Sequence, residues 1–380
     1  MEDDPPRLVP RRPSRNGRVR SSRKAAADTS SSSHFGRTPA KSLVTKQGGG
    51  FLLLVLLLLV LLLSLLLSAC FGQVHLSPGE VWTALRHGAG DHLGNQGIVW
   101  DFRLPRILLS ALVGASLAAA GGAFQALLRN DLADPYLVGV SAGASVGAEG
   151  TLLAHADTAL GGLALPLASF GSAAGAMTVV YTLARRGGRV QVTSLLLAGV
   201  VVSAFLGGVS LLLLQFSHPN DAQYLQYRLN GSLSDATFGQ CGITLGFLAA
   251  GLLLLSVQAR AMNVFALGEE SAQQLGVETE RFKTILIVTG SLLTAATVAF
   301  AGIIGFVGLM SPHLARRLAR TPDHRIVLPL ASLCGAILMV WADTLARSVL
   351  PDGRELPAGI VTAFLGAPFF CYLLRRQGRG

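Results

Sequence analysis

Charge is scarce in this chain. Only 14% of its residues are Asp, Glu, Lys or Arg, against about 25% in an ordinary soluble domain, which excludes a conventional water-facing surface for most of it. Cysteine is scarcer still: Cys70, Cys241, Cys334 and Cys371 each lie in or beside an apolar run, with no C-x-x-C and no Cys/His spacing. That excludes a disulfide framework and a zinc site and leaves four small buried hydrophobes. The chain also lacks G-x-x-x-x-G-K-[ST], the loop that cradles nucleotide phosphates, so it does not hydrolyse ATP by itself.

What is abundant is apolar sequence, 51% of the residues. A helix needs roughly 17–25 apolar residues to cross a bilayer core, and such segments recur at 51–70, 104–128, 136–154, 160–184, 193–216, 240–258, 283–300, 303–318, 326–350 and 356–374. Ten transmembrane helices are expected. The third is the weakest, because Glu149 interrupts it, and the seventh and eighth are joined by almost nothing. The first, Phe51–Cys70, ends in Leu-Ser-Ala-Cys like a lipoprotein cleavage box. As a leader it lies too deep in the chain, and it exceeds the 7–15 residues of a signal core, so it reads as a membrane span.

Basic residues test the count, since Lys and Arg collect on cytoplasmic loops. With the N-terminus inside, the inner segments hold Arg129, Arg185, Arg186, Arg189, Arg260, Arg281, Lys283, Arg316, Arg317, Arg320, Arg325, Arg375, Arg376 and Arg379. The outer ones hold Arg86, Arg103, Arg106, Arg228, Arg347 and Arg354. An error of one helix would invert every later loop, so ten spans with both termini cytoplasmic are expected. Residues 1–47 are rich in Pro, Ser and Arg. Within residues 1–50 there are eleven Lys or Arg and four Asp or Glu, and few large apolar side chains. Such a stretch cannot bury a core and is expected to be a disordered cytoplasmic tail. Binding to anionic lipid or nucleic acid is the alternative to a plain solvated tail.

The stretch Ala301–Arg320, "AGIIGFVGLMSPHLARRLAR", combines apolar residues with Gly302, Gly305, Gly308, Pro312 and His313, then three arginines. Glycines let a neighbouring backbone approach, and Pro312 cannot donate to the carbonyl of Gly308. A tightly packed helix, bent near Gly308 and Pro312 and ending at a cytoplasmic surface, is expected. His313 has no acidic or histidine partner at ligand spacing and reads as a packing residue. On the outer side, Ser77-x-x-Glu80 with Pro78 between forms a capping-box helix start.

The stretches "GIIGFVGLMSPHLARRL", "DHRIVLPLASLCGAILMVWADTLAR" and "ELPAGIVTAFLGAPFFCYLLRR" closely resemble the FecCD/BtuC family, membrane subunits of bacterial ABC importers for iron chelates, haem and vitamin B12. The likeness extends upstream through "RLPRILLSALVGASLAAAGGAFQALLRNDLADPYLVGVSAGASVG", "LLLAGV" and "FALGEESAQQLGV". It implies an all-α, BtuC-like permease of the type II importer class over residues 48–380, working in the cytoplasmic membrane as a homodimer. Two ATPase subunits would carry ATP and Mg, and an extracytoplasmic binding protein would deliver the substrate. No cofactor in this chain and no nucleic-acid partner are expected. Family frequency puts ferric siderophore first as substrate, then haem, then cobalamin.

The resemblance also assigns residues. Arg103, Arg106 and Arg347 would meet glutamates of the binding protein, a role that suits charge-assisted Arg–carboxylate bonding. The inner loop Phe265–Lys283, with Leu267, Gly268, Glu269, Ala272, Leu275 and Gly276, would dock in a cleft of the ATPase, with Ala272 and Leu275 as its apolar face. Asn130, Leu132, Thr193 and Leu195 would mark the cytoplasmic gate, and helices five and ten would line the path. Two carboxylates stand inside expected spans, where charge is expensive: Asp343 is an i, i+4 partner for Arg347, and Glu149 has no assigned role. The rival readings are a proton-driven secondary transporter, which would want a paired intramembrane charge network, and a many-helix receptor or scaffold, which does not explain the glycine-dense spans.

Overall fold

The computed structural model describes residues 41–88, 94–156, 159, 163–350 and 354–377. Two compact units divide the chain, Met1–Leu43 and Val44–Gly380, and the features below belong to the second. Residues 1–40 of the expected tail lie outside the described residues. Among the described residues, helix α1 runs over Lys41–Cys70.

In chain order there follow α2 (Pro78–His87) and α3 (Asn95–Gly97), the latter running through the π-helical residues Ile98–Arg103 into α4 (Leu104–Leu128). Next come a 3-10 turn (Pro135–Val138), α5 (Val140–Leu153), α6 (Ala164–Ala184), the antiparallel pair β1 (Arg185–Arg186) and β2 (Arg189–Val190), and α7 (Val192–Phe216). The rest is α8 (Pro219–Leu229), α9 (Phe238–Phe265), α10 (Glu269–Gln274), α11 (Thr279–Ala301), α12 (Val307–Ala319), α13 (His324–Ala346) and α14 (Ala358–Gln377). The all-α class holds, apart from one short hairpin.

Each expected apolar segment contains a helix, and eight of these are long and apolar enough to cross a membrane. Helices α5 and α12 fall short, at 14 and 13 residues. The start of the third segment is lost to the turn at Pro135–Val138, where the Asp134 carboxylate accepts the Tyr136 N–H at 2.8 Å. Ser77 caps α2 as its motif requires: the Glu80 carboxylate accepts the Ser77 N–H at 2.8 Å, and the Ser77 hydroxyl accepts the Glu80 N–H. The Ser77 hydroxyl and N–H hold the Glu80 carboxyl below its usual range.

The expected helix across Gly302–Pro312 is corrected by the structure. Helix α11 ends at Ala301, and Gly302 turns the chain with φ +72°; a Cβ there would stand 2.1 Å from the Arg228 carbonyl oxygen. Phe306, at φ +68°, precedes α12. The direction change therefore lies at 302–306. Gly305 faces open space among the described residues, so it plays no packing role there. Pro312 does sit inside α12, and its missing N–H frees the carbonyl of Gly308. That oxygen faces Gly121 of α4, where an added Cβ would lie only 1.9 Å away. Glycine and proline thus act as a pair, one helix freeing a carbonyl and the other removing the side chain in its way.

Helix α4 is the centre of the molecule. Within its apolar window 83% of the residues are buried, against 6% in α1. Small residues make this possible, since lipid offers no hydrophobic drive between helices and close packing must hold them. Gly114 of α4 and Gly335 of α13 meet backbone to backbone; a Cβ on either would stand 2.1 or 2.3 Å from the other's carbonyl oxygen. Helices α11 and α13 complete this inner layer. Helices α1, α7, α9 and α14 wrap it with mostly exposed apolar faces, suited to lipid or to another membrane chain.

Candidate functional site

Two polar regions stand at opposite ends of the bundle. The first gathers the end of α1, the start of α4, the end of α13 and the segment leading to α14. Arg106 reaches from α4 across to α13: its Nε donates to Asp343 Oδ1 at 2.9 Å and Oδ2 at 3.1 Å, its Nη2 lies 2.9 Å from Oδ1, and its Nη1 donates to Glu355 Oε2 at 2.7 Å. Arg347 Nη2 donates to the carbonyl and hydroxyl of Ser68, at 2.7 and 2.6 Å, and its Nε stands 3.6 Å from Asp343. Arg103 donates to the carbonyls of Ala69 and Val74.

All three arginines are buried, with exposures of 5%, 8% and 4% for Arg103, Arg106 and Arg347. In the isolated chain all three are held by internal oxygens. They still form the wall of an open cavity of about 690 Å³, together with Tyr227, Arg354 and Glu355. Arg347 does face Asp343 as expected, but Arg106 is the closer and better aligned partner. Sequence reasoning missed this because the two residues lie 237 positions apart.

The second region lies at the other end. Helix α10 sits between α9 and α11, with Gly268 before it at φ +122° and Gly276 after it at φ +83°, both conformations that favour glycine. Leu267 and Leu275 are 70% and 64% exposed, whereas Ala272 is fully buried in the main core. The expected apolar face of Ala272 with Leu275 is thus corrected to Leu267 with Leu275, since Ala272 anchors α10 to its own chain. Glu269 Oε1 accepts from Lys283 Nζ at 2.8 Å.

Of the expected gate residues, Asn130 and Thr193 are exposed and Leu132 is partly buried. The Leu132 N–H donates to Asn130 Oδ1 at 2.9 Å, a local turn lock. Leu195 is fully buried in the core of the isolated chain. Nearby, Arg316 bridges Asp131 at 3.2 Å, and Asn263 Nδ2 donates to Asp323 at 2.6 Å. His313 packs edge-on against Phe369 of α14, with ring centroids 5.8 Å apart.

Glu149 of α5 is completely buried and accepts the hydroxyl of Ser210 from α7; its second oxygen has no hydrogen-bond partner among the described residues. Among those residues no group of three or more His, Cys, Asp or Glu could hold a metal ion.

Residues 57–376 match the FecCD transport family. The chain is 44% identical over 280 residues to the cobalamin import system permease BtuC of Halobacterium salinarum, covering 74% of each chain. It is 40% identical over 319 residues to the vitamin B12 import system permease BtuC of an Escherichia coli O17:K52:H18 strain, covering 83% of this chain and 92% of that one. A solved ABC transporter assigned to the metal-chelate type, in an inward-facing conformation, superposes with a TM-score of 0.74 at 26% identity, over 86% of this chain and 99% of that chain. With its apolar helices and its sequence agreeing, this chain belongs to the FecCD transport family, as a multi-pass ABC importer permease of the cytoplasmic membrane and not a catalytic enzyme.

Proposed function

We propose that this chain forms a homodimer and, with two ATPase subunits bearing ATP and Mg, drives a bulky metal chelate inward after delivery by a binding protein. The observation that carries this reading is the pair of exposed leucines, Leu267 and Leu275, beside a short helix that its own chain anchors through Ala272. An apolar knob on a polar end of a membrane protein has little reason to face water, and the chain has no phosphate loop of its own. The topology follows the basic-residue bias, with ten segments and both termini inside. The relatives named for cobalamin support a corrinoid as first choice, ahead of the ferric siderophore that family frequency favours. Arg103, Arg106 and Arg347 would serve docking as the wall of the outer cavity, and they would exchange internal oxygens for carboxylates of the binding protein.

The chain should be purified from its own membranes under mild detergent, and uptake of radiolabelled cyanocobalamin and of a ferric hydroxamate should be measured in vesicles. An ATPase subunit is expected to co-purify. Uptake should require internal ATP and survive a protonophore. Uptake abolished by the protonophore with ATP present would favour the secondary-transporter reading.

A single substitution tests the coupling surface. Leu275→Asp puts a charge where an apolar contact is proposed, and burying it unpaired costs several kcal/mol. The variant is expected to insert normally but to lose the ATPase subunit on purification. Retention of that subunit with normal uptake per ATP would make Leu275 a bystander.

A further inference from the structure

Lys283 stands out among the charged residues because its side chain is only 1% exposed. An ammonium has three protons to donate, and three oxygens surround this one. Glu269 Oε1 of α10 lies at 2.8 Å, Glu280 Oε1 of α11 at 2.6 Å, and the backbone carbonyl of Val190 in β2 at 2.7 Å. The Val190 N–H in turn donates to Glu280 Oε2 at 2.8 Å. Both backbone polar groups of Val190 are thus held by the Lys283–Glu280 pair, while Arg186↔Arg189 and Arg185↔Val190 form the short hairpin on its other side.

The position of Val190 gives this clamp its consequence. Only Gln191 separates β2 from α7, which starts at Val192 and leaves most of its apolar window exposed. Val190 and Leu195 belong to the same apolar cluster as Ala272 of α10 and Phe282 of α11. Helix α10 is therefore joined to the start of α7 by one ammonium and one apolar core. A push on Leu267 or Leu275 cannot move α10 without either carrying the hairpin along or breaking a buried charge contact.

We propose that Lys283 is a positioning residue that transmits displacement of α10 to the start of α7 through the Val190 carbonyl. This inference rests on the proposed role of α10 as the ATPase contact. Glu269 and Glu280 each keep a third of their side chain exposed, and of their oxygens that face Lys283 only Glu280 Oε1 is buried without a hydrogen-bond partner, so removing Lys283 does not strand two fully buried anions.

The test uses the importer complex purified from its own membranes and reconstituted in vesicles, with ATP hydrolysed and cyanocobalamin or ferric hydroxamate imported measured together. Lys283→Met is expected to keep the ATPase subunit and its hydrolysis rate while import per ATP falls about tenfold. Glu269→Gln, which spares the Lys283–Val190 contact, should lower the ratio by a smaller factor. Gly150→Ala in α5, outside that loop, is the control, since nothing among the described residues lies near the added methyl group, and it should match the parent. An unchanged ratio in Lys283→Met overturns the proposal, as does a parallel fall in hydrolysis and import, which marks a structural role only. If Lys283→Met fails to assemble, Glu269→Gln decides, and a parental ratio there overturns the proposal. Absence of an ATPase from the parent complex overturns the proposed function, and this inference with it.

Discussion

Arg106→Met is expected to destabilise the protein by about 3–5 kcal/mol, the cost of stranding one partner of a buried ion pair. Its partner Asp343 has a side chain only 1% exposed and receives three of its four close contacts from the Arg106 guanidinium, leaving Arg347 Nε at 3.6 Å as the nearest remaining cation. Thermal unfolding in detergent should show the loss as a large fall in midpoint. Replacing both partners, Arg106→Met with Asp343→Leu, should recover much of it, because an apolar pair of similar volume often substitutes for a buried ion pair at little cost. A single variant as stable as the parent would mean that Asp343 finds water or another proton source. The same logic explains why a docking experiment should not use charge reversal at Arg106: lost affinity would be confounded with lost folding.

The second large effect is expected at Gly121. A Cβ there meets the Gly308 carbonyl oxygen at 1.9 Å and its carbon at 2.5 Å, and both belong to backbone that cannot rotate aside. Gly121→Leu should therefore exceed the ~1–3 kcal/mol of ordinary overpacking and separate α12 from α4. Yield of monodisperse protein and unfolding midpoint both report it. Gly150→Ala in α5 is the matched control, with nothing near the new methyl group, and should be neutral or gain about 0.4–1 kcal/mol by restricting the unfolded chain. If Gly121→Ala were as benign as Gly150→Ala, the close approach of the two backbones would be refuted.

Local signals carried much of the fold into the sequence. Apolar length placed a helix in every expected segment, since satisfying backbone hydrogen bonds in lipid leaves few alternatives. The Ser77 and Glu80 spacing fixed the start of α2, because caps depend on residues within one turn of each other. The break between α11 and α12 was half visible: glycine and proline announced irregularity, but the left-handed conformations at Gly302 and Phe306 are set by the Arg228 carbonyl and the packing around them.

What the sequence determined by itself was the class of the protein, its helical segments, its family and the loop that bears α10. All of these are written in patterns local along the chain. Only the tertiary structure decided the fate of the charges and of single side chains. It turned Arg103, Arg106 and Arg347 inward, seated Lys283 on the Val190 carbonyl, and buried Leu195 and Ala272 while leaving Leu275 exposed. The physical reason is that a charge at the end of a span takes whichever oxygen the packing brings within 3 Å. That oxygen belongs to helices brought together by contacts such as Gly114 on Gly335, hundreds of residues apart in the chain and adjacent only once it has folded.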